Sequence, residues 1–582
     1  MATPESPVAH AISSASAWSL TGAATAGLDG TAYRELLQAG LNWLESHHEI
    51  VNALNVFPVP DGDTGTNMLL TMKSALQEII TTHAATVGQI AKAAAHGALM
   101  GARGNSGVIL SQILRGMARS LDDQPTLTGP RFAAALTEGT RIAYQGVNRP
   151  VEGTILTVVR EAAAAAETAA QHNPDLVFVV GQAVRAADEA VANTPKLLPV
   201  LAQAGKVDSG GKGLFFILEG IYRALRGEAA QAVALPAAPT AAPARPIKGH
   251  RPIPPLVYGF DVQFLIEGHD LNVEAIRANI AAMGDCPLVE GDSNLVKVHV
   301  HVPNPGIPLS YAVGLGFVTD VIVENMDDMH IPAMPPGYDP VPPRFEQAPA
   351  PAPPTAAGPP ETIEGPGIVV VAPGQGLAEV FRSLGAHVIV SGGQTMNPST
   401  EDLYNAVHKL PTAQAIILPN NGNIIMAAQQ ACTLVADKTV AVVPSKSVPQ
   451  GISALLALNP RADLTPNVQA MTAALSHVQT GEVTIAVQDA HFDGIEVRAG
   501  DVIGLLNDRL TAKGADSAAV VEELLAQMGA AELEIITLYY GQSVTAAEAE
   551  ALQARLRQQF PNQEIEIIDG GQPFYHYIIS AE

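Results

Sequence analysis

Two carboxylates, Asp61 and Asp63, stand either side of one glycine in the stretch Asn-Val-Phe-Pro-Val-Pro-Asp-Gly-Asp-Thr-Gly-Thr-Asn-Met at 55–68. Hard oxygen ligands of this kind suit Mg2+, which takes one or two protein carboxylates and leaves its other positions to water and substrate phosphates. The chemistry implied is nucleotide binding. Pro, Asp and Gly are also common turn formers, so a plain bend is the competing reading. An EF-hand is excluded, because counting from Asp61 the sixth position is Thr66 rather than Gly and the twelfth is Met72 rather than Glu. The nearest approach to a Walker A loop, running from Gly205 to Gly210, places Gly211 where Lys is required.

Three further clusters open helical segments: Gly-Ala-Arg-Gly-Asn-Ser-Gly at 101–107, Glu-Gly-Thr at 152–154 and Val-Asp-Ser-Gly-Gly-Lys-Gly at 207–213. A helix start offers unpaired N–H groups and the positive end of the helix dipole, and glycine lets that backbone come close to a phosphate. Taken singly, Ser106 and Thr154 read first as ordinary N-caps. Several such openings beside an Asp-Gly-Asp turn make a stronger case for a ligand.

With these neighbours the motifs resemble the nucleotide-binding L domain of the dihydroxyacetone kinase family. They are most similar in form to the ATP-binding A subunit of bacterial fatty acid kinases, over nearly the whole chain after its first residues. The resemblance implies an up-and-down barrel of about eight amphipathic helices, holding ATP at one end through Mg2+ on loop carboxylates. It makes Asp61 and Asp63 the metal ligands. Val56 occupies the place of a third Asp found in dihydroxyacetone kinases, which leaves neighbouring Asn55 to offer a neutral oxygen; Thr64 stands where those kinases have His. The same resemblance puts Thr64, Gly65, Asn67, Gly104, Asn105, Ser106, Gly107 and Thr154 around the nucleotide, with Asp208, Gly210 and Gly211 closing that end and Arg103 steadying the transferring charge. The implied reaction is ATP-dependent phosphorylation of a fatty acid carboxylate, carried by a separate fatty-acid-binding B subunit of the DegV type, to give an acyl phosphate. A homodimer is part of the same expectation.

The elements that must position these residues follow from composition and periodicity. At 582 residues the chain exceeds one core, and about 100–200 residues per domain suggests three. Hydrophobic content of 47% permits full cores, while a net charge of -25 argues against nucleic acid or an anionic membrane as partner. Cys286 and Cys432 are too few for a disulfide framework, and no apolar run approaches the ~20 residues that cross a bilayer, so the expectation is a reduced, cytoplasmic protein. Residues 1–28 read as a loose tail; 230–255 and 331–366 are Ala/Pro-rich linkers that can hold neither a helix nor a central strand. Between the tail and the first linker, 29–229 is helical, with Leu37, Leu41, Leu44 and Val51 on one stripe and further segments at 66–81, 87–100, 106–121, 130–147, 154–171, 176–193 and 212–225.

Residues 256–330 read strand, helix, strand, strand, helix, strand, the order of a ferredoxin-like α+β unit. In Leu-Val-Lys-Val-His-Val-His-Val at 295–302, period two places Lys297, His299 and His301 opposite the valines. First and third strands are neighbours in such a sheet, so Asp261 shares a face with both histidines. A solvated polar face is the preferred reading for the His-x-His pair taken by itself. Resemblance adds that fatty acid kinases join two such histidines to a cysteine on the first strand to bind Zn2+. Here Asp261 replaces that cysteine, leaving an open Asp/His/His set.

From 367 to 582 strands alternate with helices, which means a mostly parallel sheet covered by helices, followed by a second lobe from about 482 with strands at 482–488, 534–540, 564–568 and 575–580. Gly374 and Gly376 invite a dinucleotide reading, but the third glycine of that fingerprint would fall on Glu379. The resemblance likens this region to the fatty-acid-binding fold, used for dimerisation or docking. Two other functions stay open: a dihydroxyacetone-type kinase component, and a non-catalytic nucleotide-binding scaffold.

Overall fold

Leucines recurring at helical spacing determine how the amino-terminal region closes. The computed structural model describes residues 27–55, 62–82, 84–147, 149–228, 260–268, 271–291, 293–302, 304–325, 363, 365–394, 397–492 and 494–582. Asp61, the first 26 residues and most of both Pro-rich linkers lie outside them. The chain divides into two units, Met1–Ala234 with Ala486–Gly500, and Leu235–Ile485 with Asp501–Glu582.

The first unit carries α1 (Gly30–Glu45), α2 (His48–Ala53), α3 (Thr64–Thr81), α4 (Val87–Met100), α5 (Gly104–Ser120), α6 (Gly129–Gly146), α7 (Ile155–His172), α8 (Leu176–Leu197), α9 (Pro199–Ala204) and α10 (Ser209–Leu225). Asp29 starts α1 by accepting from the Ala32 N–H at 2.9 Å, and Leu36, Leu37, Leu41 and Leu44 then bury one face of it. Truncating a leucine as enclosed as Leu44 costs about 2–5 kcal/mol, because its cavity does not refill. Small residues bring neighbouring helices together: Ala162, Ala163, Ala166 and Ala169 of α7 are buried, and a methyl on Gly116 of α5 would sit 2.5 Å from the Glu138 carbonyl oxygen of α6. α2 and α9 lie beyond the expected set with six residues each, too few for periodicity to register, and Val51, expected on the stripe of the first helix, sits on α2 after α1 ends at Glu45.

In the second unit, β1 (Phe260–Glu267), α11 (Val273–Ala281), β2 (Asp285–Gly291), β3 (Leu295–Val302), α12 (Gly306–Val313) and β4 (Phe317–Asn325) form an antiparallel sheet of order β2-β3-β1-β4. Val296, Val298, Val300 and Val302 pack with Val262, Phe264 and Ile266 against Ile276 and Ile280 of α11, as period two requires. This is the ferredoxin-like arrangement.

The carboxy-terminal part opens with β5 (Gly367–Ala372), α13 (Gln375–Ser383), β6 (Val388–Ser391), α14 (Thr400–His408), β7 (Gln414–Leu418), α15 (Ile425–Leu434) and β8 (Thr439–Val442), a parallel sheet of order β6-β5-β7-β8. Every residue of β5 is buried, hence its unbroken apolar run. After α16 (Val448–Leu456) and α17 (Leu464–Ala474) come β9 (Gln479–Ile485), the hairpin β10 (Ala490–Phe492) and β11 (Ile495–Val497), then β12 (Val502–Leu506), β13 (Arg509–Gly514), α18 (Ser517–Gln527), β14 (Ile535–Tyr540), α19 (Ala546–Gln559), β15 (Glu564–Asp569) and β16 (Tyr575–Ala581). Its second sheet is six-stranded and mixed, of order β13-β12-β9-β16-β14-β15. Strands β10 to β13 are additional to the expected set. The β12–β13 turn is Asn507-Asp508 with φ of 49° and 65°, the left-handed pair that a two-residue hairpin demands.

Candidate functional site

Four helix starts share one end of the first unit. Ser209 Oγ, on the first turn of α10, lies 3.3 Å from Thr64 Oγ1 on the first turn of α3. A methyl on Gly107 of α5 would stand 2.5 Å from Thr71 Oγ1 of α3, and one on Gly211 of α10 would stand 2.7 Å from Val158 Cγ2 of α7. Asp63, Thr64, Gly65, Asn67, Gly104, Asn105, Ser106, Gly107, Thr154, Asp208, Gly210 and Gly211 all belong to these four starts. Asp61 lies outside the described residues; Asn55 is the last described residue before it.

Most of these starts are capped by the chain itself. Asp63 is the N-cap of α3 yet makes no side-chain capping bond, because Asn52 Oδ1 accepts from the Gly65 and Thr66 N–H groups at 2.8 and 3.2 Å. Gly65 permits that approach: a methyl there would lie 2.2 Å from the His48 carbonyl oxygen. Asp208 caps α10 through the Gly211 N–H at 2.6 Å and accepts also from the Ile155 backbone of α7, tying two helix starts together. Thr154 is the N-cap of α7, and its hydroxyl donates to the Val151 carbonyl at 2.7 Å. Ser106, expected as an N-cap, instead lies inside the first turn of α5. The N-cap there is Arg103, which makes no side-chain capping bond.

Arginine has donors only, so Arg103 has nothing to offer the N–H groups of the turn it heads. The first residue of α5, Gly104, has φ of 56°, a conformation that glycine adopts freely. Asp63, Asn67 and Arg103 are buried. Burial pushes the Asp208 carboxyl up to about 6, against the opposing pull of its bonds from the Gly211 and Ile155 backbone. Asp63 brings to this end a buried carboxylate, the ligand type that hard cations take.

In the middle sheet, β1 and β3 pair with Asp261 opposite His301 and Gln263 opposite His299. The two half-buried imidazoles have centroids 5.0 Å apart. The side chain of Asp261 lies outside the described residues, and among the described residues no three His, Cys, Asp or Glu side chains gather as a metal site would need. In the carboxy-terminal part, Asn420, with φ of 54°, donates through Nδ2 to the Val371 carbonyl at 3.0 Å and accepts from Ser445 Oγ at 2.6 Å, knitting the strand ends together.

The sequence motifs did not disclose Asn52, which serves Gly65 from thirteen residues upstream, nor Lys206 and Gln488, whose partners lie 151 and 433 residues away at Asn55. Asn52 lies within α2 and thirteen residues ahead of Gly65, so no capping signal in the sequence pointed to it.

A helical unit with converging starts, a ferredoxin-like sheet and a two-lobed α/β region define the class, and comparison with known proteins agrees. Residues 58–223 match the DAK2 domain family, 257–332 the FakA-like middle domain of fatty acid kinases, and 367–582 the FakA-like C-terminal domain of fatty acid kinases. The chain belongs to the FakA-like family of fatty acid kinase proteins. It is 40% identical to Protein YloV of Bacillus subtilis (strain 168) over 563 residues, covering 95% of this chain and 99% of that protein. It is 37% identical over 561 residues to an uncharacterized protein of Staphylococcus aureus (strain MRSA252), again covering 95% and 99%. Among solved structures, the DegV family protein Cg2579 from Corynebacterium glutamicum matches with 15% identity and a TM-score of 0.29, covering 37% of this chain and 96% of that one. Among the described residues no helix is long and apolar enough to cross a membrane.

Proposed function

We propose that this chain is the ATP-binding subunit of a fatty acid kinase, transferring the γ-phosphoryl group of ATP to the carboxylate of a fatty acid presented by a DegV-like binding protein. Family membership supports the reaction class. The observation that carries the reading is the α5 start: a glycine-led helix end, headed by an arginine that does not cap it, packed against the helix whose start bears Asp63.

In this reading the fatty acid oxygen attacks the γ-phosphorus, the bond to the β-phosphate oxygen breaks, and ADP and acyl phosphate leave. Such a transfer needs positioning and charge neutralisation more than covalent help. Asp61, Asp63 and Asn55 would hold Mg2+, which when bound would offset the negative charge of the phosphates. Gly104, Asn105, Ser106 and Gly107 present backbone donors to phosphate. Arg103 stands at the same helix end to meet the charge that develops in transfer. Thr64, Gly65 and Asn67 shape the α3 side, while Thr154, Asp208, Gly210 and Gly211 hold α7 and α10 in register around the nucleotide.

The test is ATP turnover by the full chain with and without a fatty-acid-loaded binding protein, with acyl phosphate trapped by hydroxylamine. Turnover that requires the loaded partner and yields hydroxamate is expected. Turnover driven by dihydroxyacetone, or nucleotide binding without turnover in the presence of the loaded partner, would replace this reading.

A further inference from the structure

Of the Glu-Gly-Thr cluster at 152–154, the proposed nucleotide end uses only the threonine. Glu152 and Gly153 belong to the turn that leads into α7. The Gly153 N–H donates to Thr157 Oγ1 at 2.8 Å, and the Thr157 hydroxyl gives its own hydrogen to Glu152 Oε2 at 2.6 Å. Thr157 is 2% exposed, so little water is at hand to replace either bond. The other carboxylate oxygen, Glu152 Oε1, accepts from Arg160 Nη1 at 2.6 Å and from the Tyr144 hydroxyl at 3.0 Å. One carboxylate thereby ties the turn to α7 through Thr157 and Arg160 and to α6 through Tyr144. The Thr157 hydroxyl, ahead of Arg160 and Tyr144, holds the Glu152 carboxyl below the usual carboxylate range.

Gly153 in turn is pressed against the end of α8. Its φ of 82° suits glycine, and a methyl there would stand 2.8 Å from Leu198 Cβ and 3.0 Å from the Thr194 carbonyl oxygen. Thr194, fully buried, accepts through Oγ1 from the Asp208 N–H at 3.0 Å, and the Asp208 carboxylate takes the Gly211 N–H of α10 and the Ile155 N–H of α7. The circuit closes on itself, since Ile155 stands two residues beyond Gly153. Thr154 turns its hydroxyl to the Val151 carbonyl and accepts from the Leu156 N–H only at 3.4 Å, so the acid that heads α10 shares in holding the α7 start.

We infer that Glu152 and Thr157 are positioning residues for the nucleotide end of the helical unit: together they seat Gly153 against α8, which sets where the α7 start stands relative to Asp208, Gly210 and Gly211 of α10. The nucleotide half of this inference rests on the proposed function; the seating half stands on the hydrogen bonds alone. Both residues act through the Gly153 backbone, Glu152 by way of Thr157.

The experiment compares the full wild-type chain with Thr157→Val, Thr157→Ser, Glu152→Gln and Thr140→Val, by amide hydrogen exchange and by equilibrium binding of a non-hydrolysable ATP analogue in Mg2+. Valine matches threonine in shape and removes both hydroxyl bonds; serine restores them. Glutamine puts an N–H2 where one of two acceptors is needed. Thr140 is the control, a hydroxyl of α6 that donates to the Leu136 carbonyl at 2.9 Å and lies 3.3 Å from the Val159 carbonyl oxygen of α7. Thr157→Val is expected to speed exchange of the Gly153 and Ile155 amides about tenfold and to weaken analogue binding about tenfold, the scale of one hydrogen bond to a charged group. Glu152→Gln should give about threefold on both, with Thr157→Ser and Thr140→Val within about twofold of wild type. Unchanged exchange at Gly153 in Thr157→Val overturns the inference, and so does faster exchange with undiminished affinity. An equal loss of affinity in Thr140→Val also overturns it, because that marks a general loosening of the helices. A wild-type chain that binds no analogue removes the proposed function, while the exchange comparison still decides the seating of Gly153.

Discussion

The starts of α5 and α13 share a local grammar: each is led by a glycine with positive φ, Gly104 at 56° and Gly374 at 112°. Their surroundings differ. At α13 the chain fills the place itself, with the Leu377 N–H donating to the Gly570 carbonyl at 2.9 Å and the Asp569 carbonyl oxygen standing 2.0 Å from where a methyl on Gly376 would be. At α5 the N-cap side chain makes no capping bond and the neighbouring helix start carries Asp63. A glycine-rich opening thus says that backbone comes close to something; the residues facing it decide whether that something is the protein's own chain or a ligand.

The largest effect expected from probing this contrast is at Asp63. Asp63→Ala should lower partner-dependent ATP turnover by at least ~10²-fold, the scale of losing a principal electrostatic contact, with an unchanged circular dichroism spectrum. Turnover within tenfold of wild type would put the α5 end on the same footing as α13. Next come the glycines themselves. Gly65→Ala and Gly376→Ala each force a methyl onto a backbone carbonyl and should each destabilise by about 1–3 kcal/mol in urea titrations. Only Gly65→Ala should also weaken nucleotide binding; equal effects on binding would erase the distinction.

A smaller effect is tied to pH. The Asp208 carboxyl is raised to about 6 in the folded chain, so its contribution to stability is fully present below the ordinary carboxylate pKa and is lost as pH rises through about 6. Asp208→Asn should therefore flatten the fall in urea midpoint between roughly pH 4 and pH 6.5. A wild-type slope that persists in the variant would assign it to other groups. The smallest effect on turnover is expected from changing His299 and His301 together to Ala. Elemental analysis of untagged protein should show loss of any stoichiometric Zn2+, with ATP turnover changed less than about twofold, since the pair lies outside the helical unit.

Periodicity revealed the long helices and the βαββαβ order because each element buries one face against its own neighbours. Leu37, Leu41 and Leu44, or the valines of β3, carry that signal locally. The β12–β13 hairpin was hidden because Val-Ile-Gly-Leu-Leu is short and ends at Asn507-Asp508 rather than the commoner Asn-Gly. At the candidate site the motif residues were legible as types, whereas their partners were not. Asn52 caps a helix it does not belong to, and Gln488 reaches across 433 residues to Asn55, distances over which no spacing rule operates. Ser106 shows the converse error: a favoured capping residue sits one turn too late, because the preceding glycine lets α5 begin early.

Asn52 carries one more consequence. With Asn52 serving the Gly65 and Thr66 N–H groups, capping the first turn of α3 does not fall to the acid at its head. An Asp63→Asn chain would then be a stalled mimic of the native protein, suited to capturing a loaded carrier before any chemistry releases it.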